Sequence, residues 1–568
     1  MPAESTRDFL RARPWTASYD PGVPADLDLP ETSLAHMLER SVARHGRKTA
    51  LEFFGARTSY ADLGRQVEQA AEGLRRLGVR RGDRVAIVLP NCPQHIVAFY
   101  AVLRLGAVVV EHNPLYTEHE LRHQFEDHGA RVAIVWDRAA GRVRSLGADL
   151  PVDTVVAVDI TAAMPRAQRL ALRLPLPAAR ASRAQLTGPA PGTVPWRELL
   201  AAPPIAVDHP RPTAHDLALL QYTSGTTGLP KGAMLTHRNL ESNALMGRHW
   251  LDSTEDEVVH GVLPLFHAFG LTLGVTFAMS LGAKLVLFPT VRTDLVLGAM
   301  KRSRPTVLPA VPPVYEKLLD AAQERRTDLQ GISVAVSGAM GLPVPLVERW
   351  ERATGGILIE GYGLTECSPL VACNPLNDSR RAGSIGVPFP STEIRLVDPE
   401  TLEDVPRGHE GELWVRGPQV FQGYWKRPDE TARTLGADGW LRTGDVVTVD
   451  DAGFLRVVDR LKEVVITGGF NVAPTEVENA LRRHEDVEDA AVVGLADPRG
   501  TEVVVAAVVL APGRELDEKA LREHCYAEVT RYKVPRRIVA VDELPRTMLG
   551  KVQRREVRRQ LERTGVRL

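Results

Sequence analysis

Cysteine is scarce: the 568 residues contain four, Cys92, Cys367, Cys373 and Cys525, and none forms a CxxC pair. A disulfide framework is thereby excluded, and a reducing compartment is the simplest reading. Lysine is also scarce, ten residues against sixty arginines. Neither sign of charge predominates: Lys+Arg is 70 and Asp+Glu is 71, so no global field steers the chain onto nucleic acid. The opening MPAESTRDFLRARPW lacks the apolar h-region of a secretory signal. Gly261 to Ala283 carries no Asp, Glu, Lys or Arg, but its Pro264, His267, four glycines and hydroxyls would sit at poor depths in lipid. A buried loop followed by a core helix is expected there. Apolar residues at 44% and charged residues at 25% exclude wholesale disorder, collagen and coiled coil. The length suits about four domain-sized units, or fewer large ones.

Short apolar runs alternate with amphipathic segments. Val85 to Leu89, Ala107 to Glu111 and Val132 to Val135 read as strands; Pro93 to Leu105 and Glu118 to His128 read as helices. This rhythm predicts parallel sheets with helices on their faces. Thr161 to Trp196 has five arginines (Arg166, Arg169, Arg173, Arg180, Arg183), six prolines and no acidic residue. It reads either as a surface excursion between sheets or as a basic patch that touches anionic membrane. A boundary is expected near Asp459 to Lys462. Turn-rich β segments precede it, and about a hundred residues with their own αβ pattern follow, a length suited to a small domain.

The strongest chemical signal is Tyr222-Thr-Ser-Gly-Thr-Thr-Gly-Leu-Pro-Lys231-Gly232, after the apolar strand Leu217 to Leu220. Hydroxyls and backbone N–H groups on a turn make a phosphate cradle, and Lys231 adds charge. Pro230 before the lysine and Gly232 after it rule out a Walker A loop.

This segment resembles the signature of adenylate-forming enzymes, the superfamily of acyl-CoA synthetases, luciferase-like enzymes and peptide-synthetase adenylation domains. Four further motifs follow in that family's order. They are Glu360-Gly-Tyr-Gly-Leu-Thr-Glu366, Trp440-Leu-Arg-Thr-Gly-Asp445, Asp459-Arg-Leu-Lys-Glu463 with Gly468-Gly-Phe-Asn-Val and Glu476-Val-Glu478, and Pro545-Arg-Thr-Met-Leu-Gly-Lys551. The resemblance implies an α/β fold. It has a large N-terminal domain (1–459) of αβ-layered subdomains plus a β subdomain, holding the ATP and acyl sites. A small mobile α+β C-terminal domain (460–568) follows.

It also implies residue roles. Thr223, Ser224, Gly225, Thr226, Thr227, Gly228 and Lys231 would cradle phosphate. Gly338 and Ala339 would line the adenine side, with Tyr362 lying against the base, and Glu360, Gly361 and Gly363 would also bind the nucleotide. Asp445 and Arg460 would bind the ribose. Glu366 would ligate Mg²⁺, with Thr223 as a candidate ligand, and Thr365 would contact the α-phosphate. Lys551 would bridge the substrate carboxylate and the α-phosphate. Lys462 would be the hinge, and Gly468, Gly469 and Phe470 would frame a channel for CoA. His267 reads either as a satisfied core histidine or as a group beside the acyl carboxylate, and His237 as structural or peripheral. The basic tail after Lys551 reads as a solvated helix. Activating a carboxylate with ATP sets one anion against another, so charge neutralisation and alignment are the tasks these residues share.

Phe266, Ala268 and Phe269 flank His267, and the next helix is apolar, which favours an uncharged acyl tail. The pattern looks most like long-chain or medium-chain fatty-acid–CoA ligases using ATP, Mg²⁺ and CoA, cytoplasmic or peripheral at the inner membrane face. An aryl-CoA ligase, an acyl-AMP ligase loading a carrier protein, and a non-catalytic nucleotide-binding protein are the alternatives.

Overall fold

The computed structural model describes residues 6–146, 150–223, 230–460, 463, 465–467, 470–472, 474–496, 502–529, 531–547 and 550–564, without the side chains at 459, 460, 466, 470 and 471. The chain forms two compact units. The larger comprises Ser18–Glu393 and Val415–Leu441; the smaller comprises Met1–Ala17, Ile394–Trp414 and Arg442–Leu568. The expected junction at 459/460 falls inside the smaller unit.

Two sheets form the larger unit. The first runs in the order Val194–Pro195, Thr154–Val158, Val132–Trp136, Arg84–Val88, Val108–Glu111, Leu217–Thr223 and Lys231–Thr236, parallel except for the last pair. Its central strands are apolar on both faces, as a parallel sheet covered by helices requires. Pro93–Arg104 is buried along its whole length and opens with Pro93, whose fixed φ suits the first helical turn. Glu118–His128 begins with a reciprocal Thr117/Glu120 capping box and stops at Gly129, φ 64°. The expected β-α-β rhythm is present with its ends moved by one residue or so.

The second sheet has Thr49–Phe53, Lys284–Leu287, Val258–Gly261, Val307–Ala310, Val334–Ser337 and Ile357–Gly363 as parallel neighbours, with antiparallel strands at both edges. One face buries Trp350, Tyr315, Leu308 and Leu358. Gly261 to Ala283 is a buried loop and core helix, as expected, but Leu271–Thr276 winds as π-helix, a geometry frequent beside functional sites. Thr161 to Trp196 forms two short helices, Arg166–Ala171 and Pro177–Leu186, neither of which buries a residue. Among the described residues no helix is long and apolar enough to cross a membrane.

The smaller unit carries most of a four-stranded sheet ordered Glu393–Val397, Gly411–Arg416, Leu441–Val449 and Leu455–Arg460. It also carries the αβ layer near the C-terminus: Val487–Ala496, Glu502–Leu510 and Arg537–Ala540. Alternation decides both faces of that layer. Val492, Val504 and Ala506 pack under the helices Pro474–Arg482 and Glu518–Glu528, whereas Val493, Val503 and Val505 pack with Val557 and Leu561 of Arg554–Arg563. The tail helix is therefore amphipathic rather than simply solvated: its i, i+4 pair Val557 and Leu561 completes a core.

Candidate active site

Parallel sheets gather ligand-binding groups at the carboxyl ends of their strands, where backbone donors and loops converge. The candidate residues of the larger unit follow that rule. Thr223 ends Leu217–Thr223, Ser337 and Gly338 end Val334–Ser337, and Gly363 ends Ile357–Gly363. Thr223 pairs in register with Lys231 across the antiparallel edge. Ser224, Gly225, Thr226, Thr227 and Gly228 lie outside the described residues. The strand before them is tied down by Tyr222, whose hydroxyl donates to Asp127 Oδ2 at 2.7 Å. Burial first, then the Asp127 charge, raises that phenol's pKa, so it remains a donor.

The Glu360–Glu366 segment is shaped by close backbone approach. A Cβ on Gly363 would sit 2.0 Å from the Pro369 carbonyl oxygen, so only glycine fits. A Cβ on Gly338 would meet the Phe269 ring at 3.1 Å and the Gly361 carbonyl at 3.4 Å. This packing brings the His267 loop, the Gly338 turn and the Tyr362 strand together. Ala339 adopts φ 67°, a strained choice for a residue with a Cβ. Glu360 is buried, and burial pushes its carboxyl up to about 8. Thr365 and Glu366 lie on a single 3₁₀ turn, Thr365–Cys367. Thr272 of the π-helical stretch donates to the Ser368 carbonyl at 2.6 Å and fixes that turn from behind.

His267 is half-buried and caps Ala268–Gly270, its Nδ1 accepting the Phe269 N–H at 3.3 Å. Burial lowers its pKa to about 4, so near neutral pH the ring is uncharged and Nε2 carries the proton. The ring thus combines a satisfied backbone contact with a donor nitrogen. His237, by contrast, is buried and accepts the Leu34 N–H at 3.3 Å, a structural contact.

Two positioning groups escaped the sequence reading. Asn91 Nδ2 donates to the carbonyls of Gly261 (3.0 Å) and Leu263 (2.7 Å), and its Oδ1 accepts the Leu265 N–H (3.0 Å). Gln221, one residue from Tyr222, donates to the Phe266 carbonyl at 2.7 Å. Together they pin the loop that carries His267 to the other sheet.

In the smaller unit, Asp445 lies opposite Arg460 in strand register and is 3% exposed. The Arg460 side chain is outside the described residues. Lys551 is half-buried on a turn closed by Thr547 N–H to Lys551 O (2.8 Å), Lys551 N–H to Thr547 Oγ1 (3.2 Å) and Gly550 at φ 83°. Arg554, three residues on, makes a bidentate pair with buried Glu478 (2.7 Å twice) and also engages Glu463. That pair ties the lysine turn to the junction motif. Lys462, Gly468 and Gly469 lie outside the described residues, and Phe470 is described only as a strand position opposite Thr467.

The profile of the AMP-binding enzyme family matches residues 38–425, and that of the AMP-binding enzyme C-terminal domain matches 476–551. A long-chain-fatty-acid–CoA ligase of Bacillus subtilis is 36% identical, covering 96% of this chain and 97% of its own. The 4-coumarate–CoA ligase 3 of rice is 34% identical, with 89% and 88% covered. The ATP-bound crystal structure of MatB from Rhodopseudomonas palustris superposes with TM-score 0.81 at 29% identity, covering 93% of this chain and 99% of that one. With one profile over most of the length, a second over the C-terminal part and full-length relatives above 30%, this chain belongs to the AMP-binding enzyme family.

Proposed function

We propose that the chain is an ATP-dependent fatty acid–CoA ligase working in two steps. First, a carboxylate oxygen of the acid attacks the α-phosphorus of ATP; the bond to the bridging oxygen breaks and pyrophosphate leaves with the electron pair. Second, the CoA sulfur attacks the acyl carbonyl carbon; the acyl–oxygen bond breaks, AMP leaves and the thiol proton passes to solvent. Lys231, Thr365 and Lys551 offset charge on the phosphates and the attacking carboxylate, and neutral His267 offers a donor without a charge. Tyr362, Gly338, Ala339 and Glu360 bound the adenine, while Asp445 and Arg460 hold the ribose. Rotation at Lys462 of a 460–568 domain against 1–459 exchanges Lys551 for the Gly468-Gly469-Phe470 loop between the two steps. Glu366 and Thr223 are hard oxygen donors that fit Mg²⁺, an ion normally held by few protein ligands plus substrate phosphates. When bound, it neutralises phosphate charge.

The observation that carries the acyl assignment is the 36% identity, over nearly the whole of both chains, to a long-chain-fatty-acid–CoA ligase. The rice relative favours an aryl acid as the second reading. Pyrophosphate release across C4 to C18 and cinnamate-type acids, with and without CoA, tests both: kcat/KM should rise about tenfold or more per two carbons, each buried CH₂ contributing about 0.8 kcal/mol, until the pocket is full. Aryl acids outcompeting every fatty acid would reverse the assignment.

A cytoplasmic enzyme in peripheral contact with the inner membrane face completes the proposal. It is supported by exposed Leu170 (65%), Leu174 (49%) and Leu176 (55%) set among Arg166, Arg169, Arg173, Arg180 and Arg183 with no carboxylate between them. Binding to phosphatidylglycerol vesicles should weaken about fivefold for each arginine replaced by glutamine, and weaken further with salt.

A further inference from the structure

Residues 421–425 are threaded between two motif segments of the larger unit. The Phe421 N–H donates to the Glu366 carbonyl (2.9 Å), Gln422 N–H to Met234 O (3.0 Å), Met234 N–H to Gly423 O (2.9 Å) and Trp425 N–H to Gly232 O (2.8 Å). Gly423 has φ 127°, and a Cβ there would lie 2.5 Å from Thr431 Cγ2, so the path needs glycine. This path brings Tyr424 to both segments. Its hydroxyl donates to Glu366 Oε1 at 2.6 Å, and Lys231 Nζ lies 5.3 Å from its ring centroid. Lys231 also pairs with Glu430 of the helix Pro428–Thr434, and Thr431 of that helix accepts the Tyr424 N–H at 2.9 Å. Neither Tyr424 nor Glu430 lies in the five motifs.

We infer that Tyr424 and Glu430 are positioning residues of the triphosphate site. Tyr424 orients the Glu366 carboxylate through its hydroxyl and seats the Lys231 ammonium on its ring. Glu430 is a resident counter-ion that the phosphate chain displaces from Lys231. The Lys231 side chain is only 13% exposed, and a buried ammonium without an anion is costly. A carboxylate that yields to phosphate keeps the ammonium paired before ATP arrives and after pyrophosphate leaves. It also moderates affinity for pyrophosphate, because two anions compete for one cation. This inference rests on the phosphate-cradle reading of Lys231 and the metal reading of Glu366.

Two binding measurements test it on the full chain. Inorganic pyrophosphate, titrated calorimetrically in EDTA, should bind Glu430→Gln about two- to fivefold more tightly than wild type, the range expected for removing a partly exposed competing ion pair. Tyr424→Phe, which keeps the ring, should bind it as wild type does. Mn²⁺·ATP, followed by the Mn²⁺ paramagnetic resonance signal, should bind Tyr424→Phe about three- to tenfold more weakly and Glu430→Gln no more weakly. Unchanged or weaker pyrophosphate binding by Glu430→Gln overturns the counter-ion role. Wild-type Mn²⁺·ATP affinity in Tyr424→Phe, even with a lowered melting temperature, overturns the orienting role and leaves Tyr424 a packing residue. Lys231→Ala separates this inference from its foundation. If it binds pyrophosphate as wild type does, the cradle reading falls and this inference with it; if it loses binding while Glu430→Gln is unchanged, only the counter-ion role falls.

Discussion

Asn91→Ala removes a side chain that is 5% exposed and makes three hydrogen bonds to backbone groups of Gly261, Leu263 and Leu265, all buried. Truncation leaves two carbonyls and one N–H without partners. Each orphaned buried group costs about 1–3 kcal/mol, and partial relaxation of the loop brings the total to about 3–5 kcal/mol. With an m-value of about 4 kcal/mol/M for a unit this large, the urea midpoint of the larger unit should fall by about 1 M. The chemistry should suffer separately, because the same three bonds set the height of Pro264 to His267. A displacement near 1 Å at such a site costs about a hundredfold in rate. Pyrophosphate release in single turnover, at a urea-free concentration where the variant remains folded, reads this second effect. Asn91→Asp keeps the acceptor for Leu265 but faces two carbonyls with a carboxylate. Its pKa should be raised by burial, so its stability deficit should shrink as pH falls through that raised value and grow as pH rises. A midpoint within about 0.2 M of wild type for Asn91→Ala would refute the hydrogen-bond reasoning. A lowered midpoint with a wild-type rate would show that the loop does not depend on Asn91 for its catalytic position.

Lys551→Ala should slow adenylate formation about 10²–10³-fold while the thioester step from supplied acyl-adenylate stays near wild type; equal losses in the two half-reactions would count against a role in one pose. Asp445→Ala should weaken AMP binding and raise the KM for ATP, since two ribose hydroxyls lose an acceptor, and calorimetry showing unchanged affinity would exclude the ribose contact. Lys462→Pro should still release pyrophosphate but form acyl-CoA far more slowly, because proline fixes φ near −65° and restricts Leu461; wild-type thioester rates would place the pivot elsewhere.

Local pattern was enough for the strands and helices that build the sheets. Val85 to Leu89 and Val132 to Val135 read as strands because a parallel strand covered on both faces is apolar at every position. Glu118 to His128 read as a helix because Thr117, Glu120 and Gly129 supply its start and stop within a few residues. The motifs were legible for the same reason: Tyr222 to Gly232 and Glu360 to Glu366 are contiguous, and their glycines answer to close approaches such as Gly363 against Pro369. The tail helix was misread as solvated because Val557 and Leu561 have no visible partner until the sheet Val487–Ala496 and Glu502–Leu510 supplies one.

What the sequence determined by itself is the β-α-β alternation, the order of the motifs and the residue types that chemistry on phosphate requires. These depend on neighbours within about ten positions. Folding alone brings Asn91 to the His267 loop from 170 residues or more away, Tyr424 to Glu366 across 58, and Glu430 to Lys231. Such pairs are set by strand order and register. Leu217–Thr223 lies between a parallel neighbour and an antiparallel one, and residues 421–425 run along the outer strand. A polar side chain in a sequence carries no mark of which backbone will be left without a partner when sheets close, and that need is what assigns Asn91 and Gln221 their roles.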